Sequence, residues 1–365
     1  MLFHSSIRKE LARSFGATLI VLVTIVMTMM LIRTLGQASS GSVNPTEISL
    51  IMGYTMLGHL PTVLTMSLFI ATVGTLSRMY LESEMVIWLV SGRGLRSLLT
   101  PIIRFAWPML IAVSVLVLVV WPWSNQQIND LKERFEQRGD LERVSPGQFQ
   151  ESANGLRVFF VDKESVENKQ GKNVFISSNE RGKQAMTSSR QGHVETIGED
   201  RFLVLDIGQR VEQTNGETEI KVSDFKVYGT RISQDVKAAA VQPTKTIHSL
   251  QLLLLPTPSN LGELAWRIGL AFAAFNLLII ATAITSANHR VGRGGNLALA
   301  LFIFVVYYNF INLGQSWISA GKVQFVPYLI ALHGGVFTLT MGWLAVRHNN
   351  WNWRQLLPVR KEASA

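Results

Sequence analysis

Apolar residues in this chain come in long runs, and the polar residues are gathered between them. Six stretches, near 14–33, 50–76, 98–122, 261–285, 297–318 and 325–346, are long and uncharged enough to cross a hydrocarbon core, which takes roughly 20 residues as a helix. Between the third and fourth the period changes. SNQQINDLKERFEQRG sets Ile128, Leu131 and Phe135 at helical spacing, so the third helix is expected to project beyond the lipid and stop near Gly139. Then LRVFFVDK, NVFISS, HVETI, RFLVLD, QRVEQT and EIKVSDFKVYG follow as short Val-, Ile- and Phe-rich segments. Turn signals such as Asn154-Gly155, Arg181-Gly182 and Asn215-Gly216 separate them. The pattern predicts an all-β domain of about 100 residues, a sandwich or a jelly roll.

The expected architecture is an α-helical membrane protein of six transmembrane helices, three and three, with an inserted all-β, jelly-roll-like domain. Its parts are 1–123 for the first three spans, 124–258 for the β domain with its helical lead-in, 259–346 for the last three spans, and 347–365 for a tail. Three spans per half make the halves inverted in topology, as in many transporters, although no internal sequence repeat accompanies the inversion.

Charge separates the same regions. Residues 124–258 hold 18 Lys+Arg and 19 Asp+Glu, whereas the rest of the chain carries a net +10. A balanced domain suits water, and the basic remainder suits anionic lipid head groups. One set of loops holds Arg8, Lys9, Arg13, Arg78, Arg93, Arg96, Arg104, Arg290, Arg293, Arg347, Arg354, Arg360 and Lys361; the opposite side keeps only Arg33, Arg267 and Lys322 near its surface. By the positive-inside rule both termini are cytoplasmic and the β domain is external. The first apolar stretch is too long for a signal-peptide core and is expected to stay as an anchor. With no Cys in the chain, disulfides, thiolate metal sites and cysteine nucleophiles are excluded.

The cytoplasmic loop between spans two and three contains LESEMVIWLVSGRG. Its apolar run, Met85 to Val90, is too short to cross a bilayer and too greasy to stand bare in water. One reading is a short helix lying among lipid head groups. The other is a coupling helix near 82–92 seated in a groove on a cytoplasmic partner, with Glu82 and Glu84 at its N-terminus, where the helix dipole favours anions, and Met85 and Trp88 on its apolar face. Anionic lipid repels the two carboxylates, which favours the partner.

Other polar residues carry paired readings. Arg33, closing span one in MLIRTLG, and Lys322, in SAGKVQF, are either cations snorkelling to the interface or contacts for an anionic substrate. Arg267 follows Glu263 by four residues, the spacing of an internal ion pair. Asn309, Asn312 and Gln315 form a polar stripe in span five that faces either packed protein or a wet cavity or gate. His59 and His333 lie alone within spans, and Pro61 and Pro108 are expected to kink their helices.

No G-x-x-x-x-G-K-[ST], H-E-x-x-H or G-x-S-x-G occurs in the sequence, so energy for any transport is expected from another polypeptide and no enzyme chemistry is indicated.

Several fragments together resemble the LptF branch of the LptF/LptG permease family of the lipopolysaccharide-export ABC transporter. They are LIRTLG, LPTVLTMSLFIATVGTLSRMYLESEMVIWLVSGRG, SPGQFQES with NGLRVFF, and ELAWRIGLAF, and the resemblance covers essentially the full length. It implies a bacterial inner-membrane permease that takes part in lipid transport for outer membrane biogenesis, with a periplasmic β-jelly roll. The implied partners are the LptG paralogue, an LptB ATPase dimer, the membrane helix and jelly roll of LptC, and lipopolysaccharide, with no nucleic acid. ATP and Mg would be bound by the ATPase, leaving no cofactor or metal in this chain. The family's ATPase-contacting acid maps onto Glu84, with Glu82 beside it, and its substrate-cavity cation onto Arg33. One departure stands in SANHRVGRGG, which lacks the Pro-Arg usual before G-R in the loop between spans four and five. A scaffold or mechanotransmission subunit that presents the β domain without moving lipid is the alternative from a different class.

Overall fold

The computed structural model describes residues 2–39, 43, 45–85, 90, 95–137, 149–151, 157–160, 162, 171–180, 183–197, 200–214, 219–232, 242–285 and 292–348. Each apolar run becomes a helix, because a backbone without water has to satisfy its hydrogen bonds within its own segment. α1 (Leu2–Ser39) and α2 (Ile48–Leu81) form spans one and two. Span three is α3 (Leu95–Val115), a π-helical turn (Leu116–Val120) and α4 (Trp121–Gln137), joined without a break. A short helix α5 (Ser249–Leu254) precedes span four, α6 (Pro258–Ile284), and span five is α7 (Gly292–Ser319). Span six is α8 (Phe325–Leu329), a second π-helical turn (Ile330–Gly334) and α9 (Gly335–His348). All six are long and apolar enough to cross a membrane.

The ends follow local chemistry. Thr257 caps α6 by accepting from the Asn260 N–H at 3.3 Å, with Pro258 in the first turn, where a missing N–H costs nothing. α7 closes on Gly321 in the left-handed region (φ +70°), whose N–H donates to the Ile318 carbonyl while that of Lys322 reaches the Trp317 carbonyl. The expected projection of the third helix past its apolar run is present, since α4 continues to Gln137.

The chain divides into two compact units: Met1–Met30, Gly53–Gln127 and Gln242–Ala365 form one, and Leu31–Met52 with Ile128–Val241 the other. In the first, α2 and α6 are the buried helices and the other spans surround them. One core cluster joins Leu11 and Phe15 of α1, Leu68 and Leu76 of α2, Ile102 of α3 and Leu278 of α6. A second joins Phe69 and Val73 to Leu270, Leu277, Phe304 and Ile311. α6 can be central because small residues let neighbours close on it. A Cβ added at Gly262 would fall 2.0 Å from the Ser319 Oγ and 2.7 Å from the Gln315 carbonyl oxygen of α7.

The second unit contains the inserted β domain expected from the sequence. Its described strands, β1 (Phe149–Glu151), β2 (Arg157–Phe160), β3 (Gly171–Glu180), β4 (Lys183–Ile197), β5 (Asp200–Thr214) and β6 (Ile220–Ile232), form one antiparallel sheet in sequential order. RFLVLD and QRVEQT, which read as two strands, are the halves of β5. Between them the ladder lacks the pairs Asn173/Arg190, Arg190/Ile207 and Ile207/Lys226, although the register on either side is unchanged. Asn173 (φ 48°) and Ile207 (φ 47°) are left-handed in that row, a conformation unusual for a β-branched residue.

The inward alternation slips by one there. Ala185, Thr187 and Ser189 are buried on one side of the row and Gly192 on the other. Val174 and Ile176 from one half thereby join Leu203 and Leu205 from the other in a single core, edged by Phe225 and Tyr228. Ser189 Oγ lies 2.6 and 2.7 Å from the carbonyl oxygens of Gln191 and Asp206, which flank the break. On the outer half of β5, Arg210 donates to Glu212 at 2.6 Å and holds that carboxyl below its ordinary range.

Candidate functional site

At the last turn of α2, Arg78 gathers three carboxylates. Its Nε and Nη2 donate to the two oxygens of Glu10 on α1, its Nη1 donates to Glu82, and Glu84 Oε1 lies 3.4 Å from Nη1. α2 ends at Leu81; the Glu82 N–H still reaches the Arg78 carbonyl, and Ser83 adopts φ 61°, turning the chain back. That turn carries Met85 into the first core cluster, 1% exposed, while Glu82 and Glu84 keep about half their surface open (51% and 46%). One guanidinium is shared among three carboxylates, two of which stay half exposed at this corner. This corner can receive a cationic surface, and its backbone is fixed to α1 and to the core. Trp88 lies outside the described residues, and Val90 is 81% exposed.

A second cluster lies near the other end of the spans. Glu263 and Arg267, one turn apart on α6, are 1% and 0% exposed and paired at 3.0 Å, as their spacing predicts. Trp121 Nε1 donates to Glu263 Oε1 and Gln315 Nε2 to Oε2, each at 2.9 Å. The Arg267 guanidinium donates to Ser249 Oγ and to the carbonyls of Ile247, Thr244 and Lys245, at 2.9 to 3.3 Å. Trp266 Nε1 donates to Asn312 Oδ1 at 3.0 Å. Two members of the span-five stripe, Asn312 and Gln315, are thus engaged with α6. Asn309 is exposed and donates to its own helix at Val305. Arg33 and Lys322 are both exposed.

His333, in the π-helical turn of span six, is buried, with Nδ1 2.7 Å from the Tyr307 hydroxyl. Asn276 Nδ2 donates to that hydroxyl and to the His333 carbonyl, each at 2.9 Å. The Tyr307 hydroxyl thus joins Asn276 to Nδ1 of the ring, and His333 Nε2 is buried without a hydrogen-bond partner. Among the described residues no group of three or more His, Cys, Asp or Glu could hold a metal. A small apolar crevice lined by Thr65, Leu270, Ala273, Leu277, Tyr308 and Ile311, among others, lies between α2, α6 and α7.

Glu10 and Arg78 were not singled out from the sequence, although a signal existed. Only six acidic residues lie outside 124–258, and four of them, Glu10, Glu82, Glu84 and Glu263, are ion-paired to just two arginines. Of the departing segment SANHRVGRGG, residues 286–291 lie outside the described residues and 292–295 begin α7.

Six spans, two of them buried among the other four, with a β domain inserted between the third and fourth, define a helical membrane permease. The sequence model of the family described as "Lipopolysaccharide export system permease LptF/LptG" matches residues 6–347, and the chain belongs to that family. It is 24% identical over 357 residues to the lipopolysaccharide export system permease protein LptF of Escherichia coli K12, covering 97% of this chain and 95% of the relative. The protein of the same name from Shigella flexneri matches equally.

Proposed function

We propose that this chain is the LptF-type subunit of an ABC transporter that extracts lipopolysaccharide from the outer leaflet of the bacterial inner membrane. It pairs with an LptG-type permease, is driven by a separate LptB ATPase dimer, and passes lipid through its periplasmic β domain to the jelly roll of LptC. Both termini face the cytoplasm. Family membership over residues 6–347 is the observation that carries this proposal.

The apolar surfaces support it. The exposed side chains of α1, such as Ile20, Val21, Ile25, Met29 and Ile32, and of α7, such as Phe302, Phe310 and Leu313, suit the walls of a cavity completed by a second permease. Acyl chains occupy that cavity, at about 0.8 kcal/mol per buried CH₂, so a multi-acyl lipid does not leave without external work. Arg33 meets the lipid's phosphates and Lys322 adds a second cation, while Asn309 lines the gate. The exposed carboxylates of Glu82 and Glu84, with Trp88 further along the loop, seat on the ATPase, whose closure pushes α2 and compresses the cavity; Met85, expected on the docking face, is instead buried in this chain's own core and anchors the corner.

Purification of the intact complex from membranes, with mass identification of its subunits and bound lipid, tests the proposal. A second permease, an ATPase and lipopolysaccharide are expected. Recovery of the chain without an ATPase would leave the scaffold function in its place.

A further inference from the structure

The segment that returns the chain to the membrane after the β domain, KTIHSLQLLLLPTPSN, has a surface unlike that of a water-exposed linker. Leu250, Leu253, Leu254 and Leu255 are 69%, 56%, 69% and 65% exposed, while Leu252 is fully buried. No charged side chain occurs between His248 and Glu263. Four bare leucines on one short segment form a patch that water does not favour.

Hydrogen bonds fix its depth. Arg267 lies nine residues into α6, about 14 Å from the helix start at 1.5 Å per residue. Its guanidinium, leaning back toward the N-terminus as helical side chains do, holds the carbonyls of Thr244, Lys245 and Ile247. Ser249 Oγ, which accepts from Arg267, donates in turn to the Leu118 carbonyl in the π-helical turn of span three. The segment is therefore drawn down beside two spanning helices and does not stand above them. Trp121 and Trp266, 4.7 Å apart, and Trp123 occupy the same level, where indole rings of membrane proteins collect at the boundary of the bilayer. Exposed Lys245 and His248 stand on the polar flank of the leucines, the arrangement of an interfacial element.

We propose that residues 244–255 form an interfacial strap, clamped by the buried Arg267, whose leucines lie among the acyl chains of the leaflet next to the N-terminus of α6. The occupant of the patch is lipid. Only another spanning helix could replace lipid at this depth, and the leucine segment offers it no charged side chain to pair with. The strap holds residues 244–255 at a set depth beside α6. It rests on the six helices spanning a membrane, and not on which lipid the protein moves.

The absence of cysteine allows a direct test. Leu250→Cys and Leu254→Cys, each labelled with a nitroxide, are measured in the intact complex reconstituted into phosphatidylethanolamine/phosphatidylglycerol bilayers. Collision with dissolved oxygen is expected to exceed collision with a water-soluble nickel chelate several-fold, the reverse of the ratio at a Glu219→Cys reference on the β domain. A nickel-dominated ratio at both leucine positions would place the strap in water and overturn the proposal. Shielding from both reagents would show a protein cover and overturn it equally. Because the measurement reads position alone, its failure is distinct from failure to export lipopolysaccharide.

Discussion

Arg78 grips both oxygens of Glu10, a residue 68 positions earlier in the chain, and so ties the C-terminal end of span two to the start of span one. Neither side chain is more than a third exposed, so the pair is shielded better than a surface ion pair. It holds the Glu82–Glu84 corner in place before any partner arrives. Preorganisation of this kind lowers the ordering cost of docking.

Glu10→Gln is expected to loosen that corner without touching the exposed carboxylates of Glu82 and Glu84. ATPase recovered with the complex should fall several-fold, and Glu10→Asp, which keeps the carboxylate, should retain part of it. Equal losses in the two variants would show that the pairing is not what positions the corner.

Glu84→Ala removes one of the two exposed carboxylates. Weaker ATPase association, or hydrolysis uncoupled from export, is the expected outcome in pull-down and transport assays. Unchanged recovery together with unchanged export would end the coupling role.

Arg33→Glu reverses a charge at the end of span one. Photocrosslinking of lipopolysaccharide to neighbouring positions should drop, while the folded complex is recovered normally. Crosslinking at the original level would reduce Arg33 to a snorkelling anchor.

Glu263→Gln leaves the fully buried Arg267 without its counter-charge. Breaking one side of such a pair costs about 3–5 kcal/mol, read as a lowered Tm in detergent. Adding Arg267→Leu should lose less than the sum of the two single changes, since the stranded charge is then gone. Additive losses would mean that the two side chains do not act as a unit.

Gly262→Val should separate α6 from α7, because even a Cβ at this position meets Ser319 Oγ at 2.0 Å and backbone at 2.7 Å. Overpacking of this kind costs about 1–3 kcal/mol. Gly294→Ala on α7, with open space around its Cβ, serves as the control. Equal thermal stability in the two variants would argue against a close approach at Gly262.

The elements most visible in the sequence were those with the strongest period. Six long apolar runs with few charges correspond to the six spanning helices, and the change to short Val- and Ile-rich segments marked the inserted sheet. β4 was only partly seen, as HVETI, because KQAMTSSRQ turns small polar residues inward where larger apolar ones would have given a signal. β5 was read as two strands because Ile207-Gly208 interrupts its alternation, and the break is real, though it bends one strand and does not end it. At the candidate site, the Glu263/Arg267 pair was legible from its spacing along one helix. The Glu10/Arg78 pair was not, because nothing local brings two different helices together.

What the sequence alone determined is what a bilayer and water impose on each segment separately: which stretches are helices across lipid, where the sheet is inserted, and that two acidic residues precede an apolar run in one short loop. Tertiary structure decided which helices are central, which of the stripe Asn309, Asn312 and Gln315 is engaged with α6, and that one arginine organises the acidic corner. The physical reason is that hydropathy and hydrogen-bond demand are properties of a segment in its solvent, whereas contacts such as those of Arg78 and Arg267 depend on the packing of helices that small residues allow to approach.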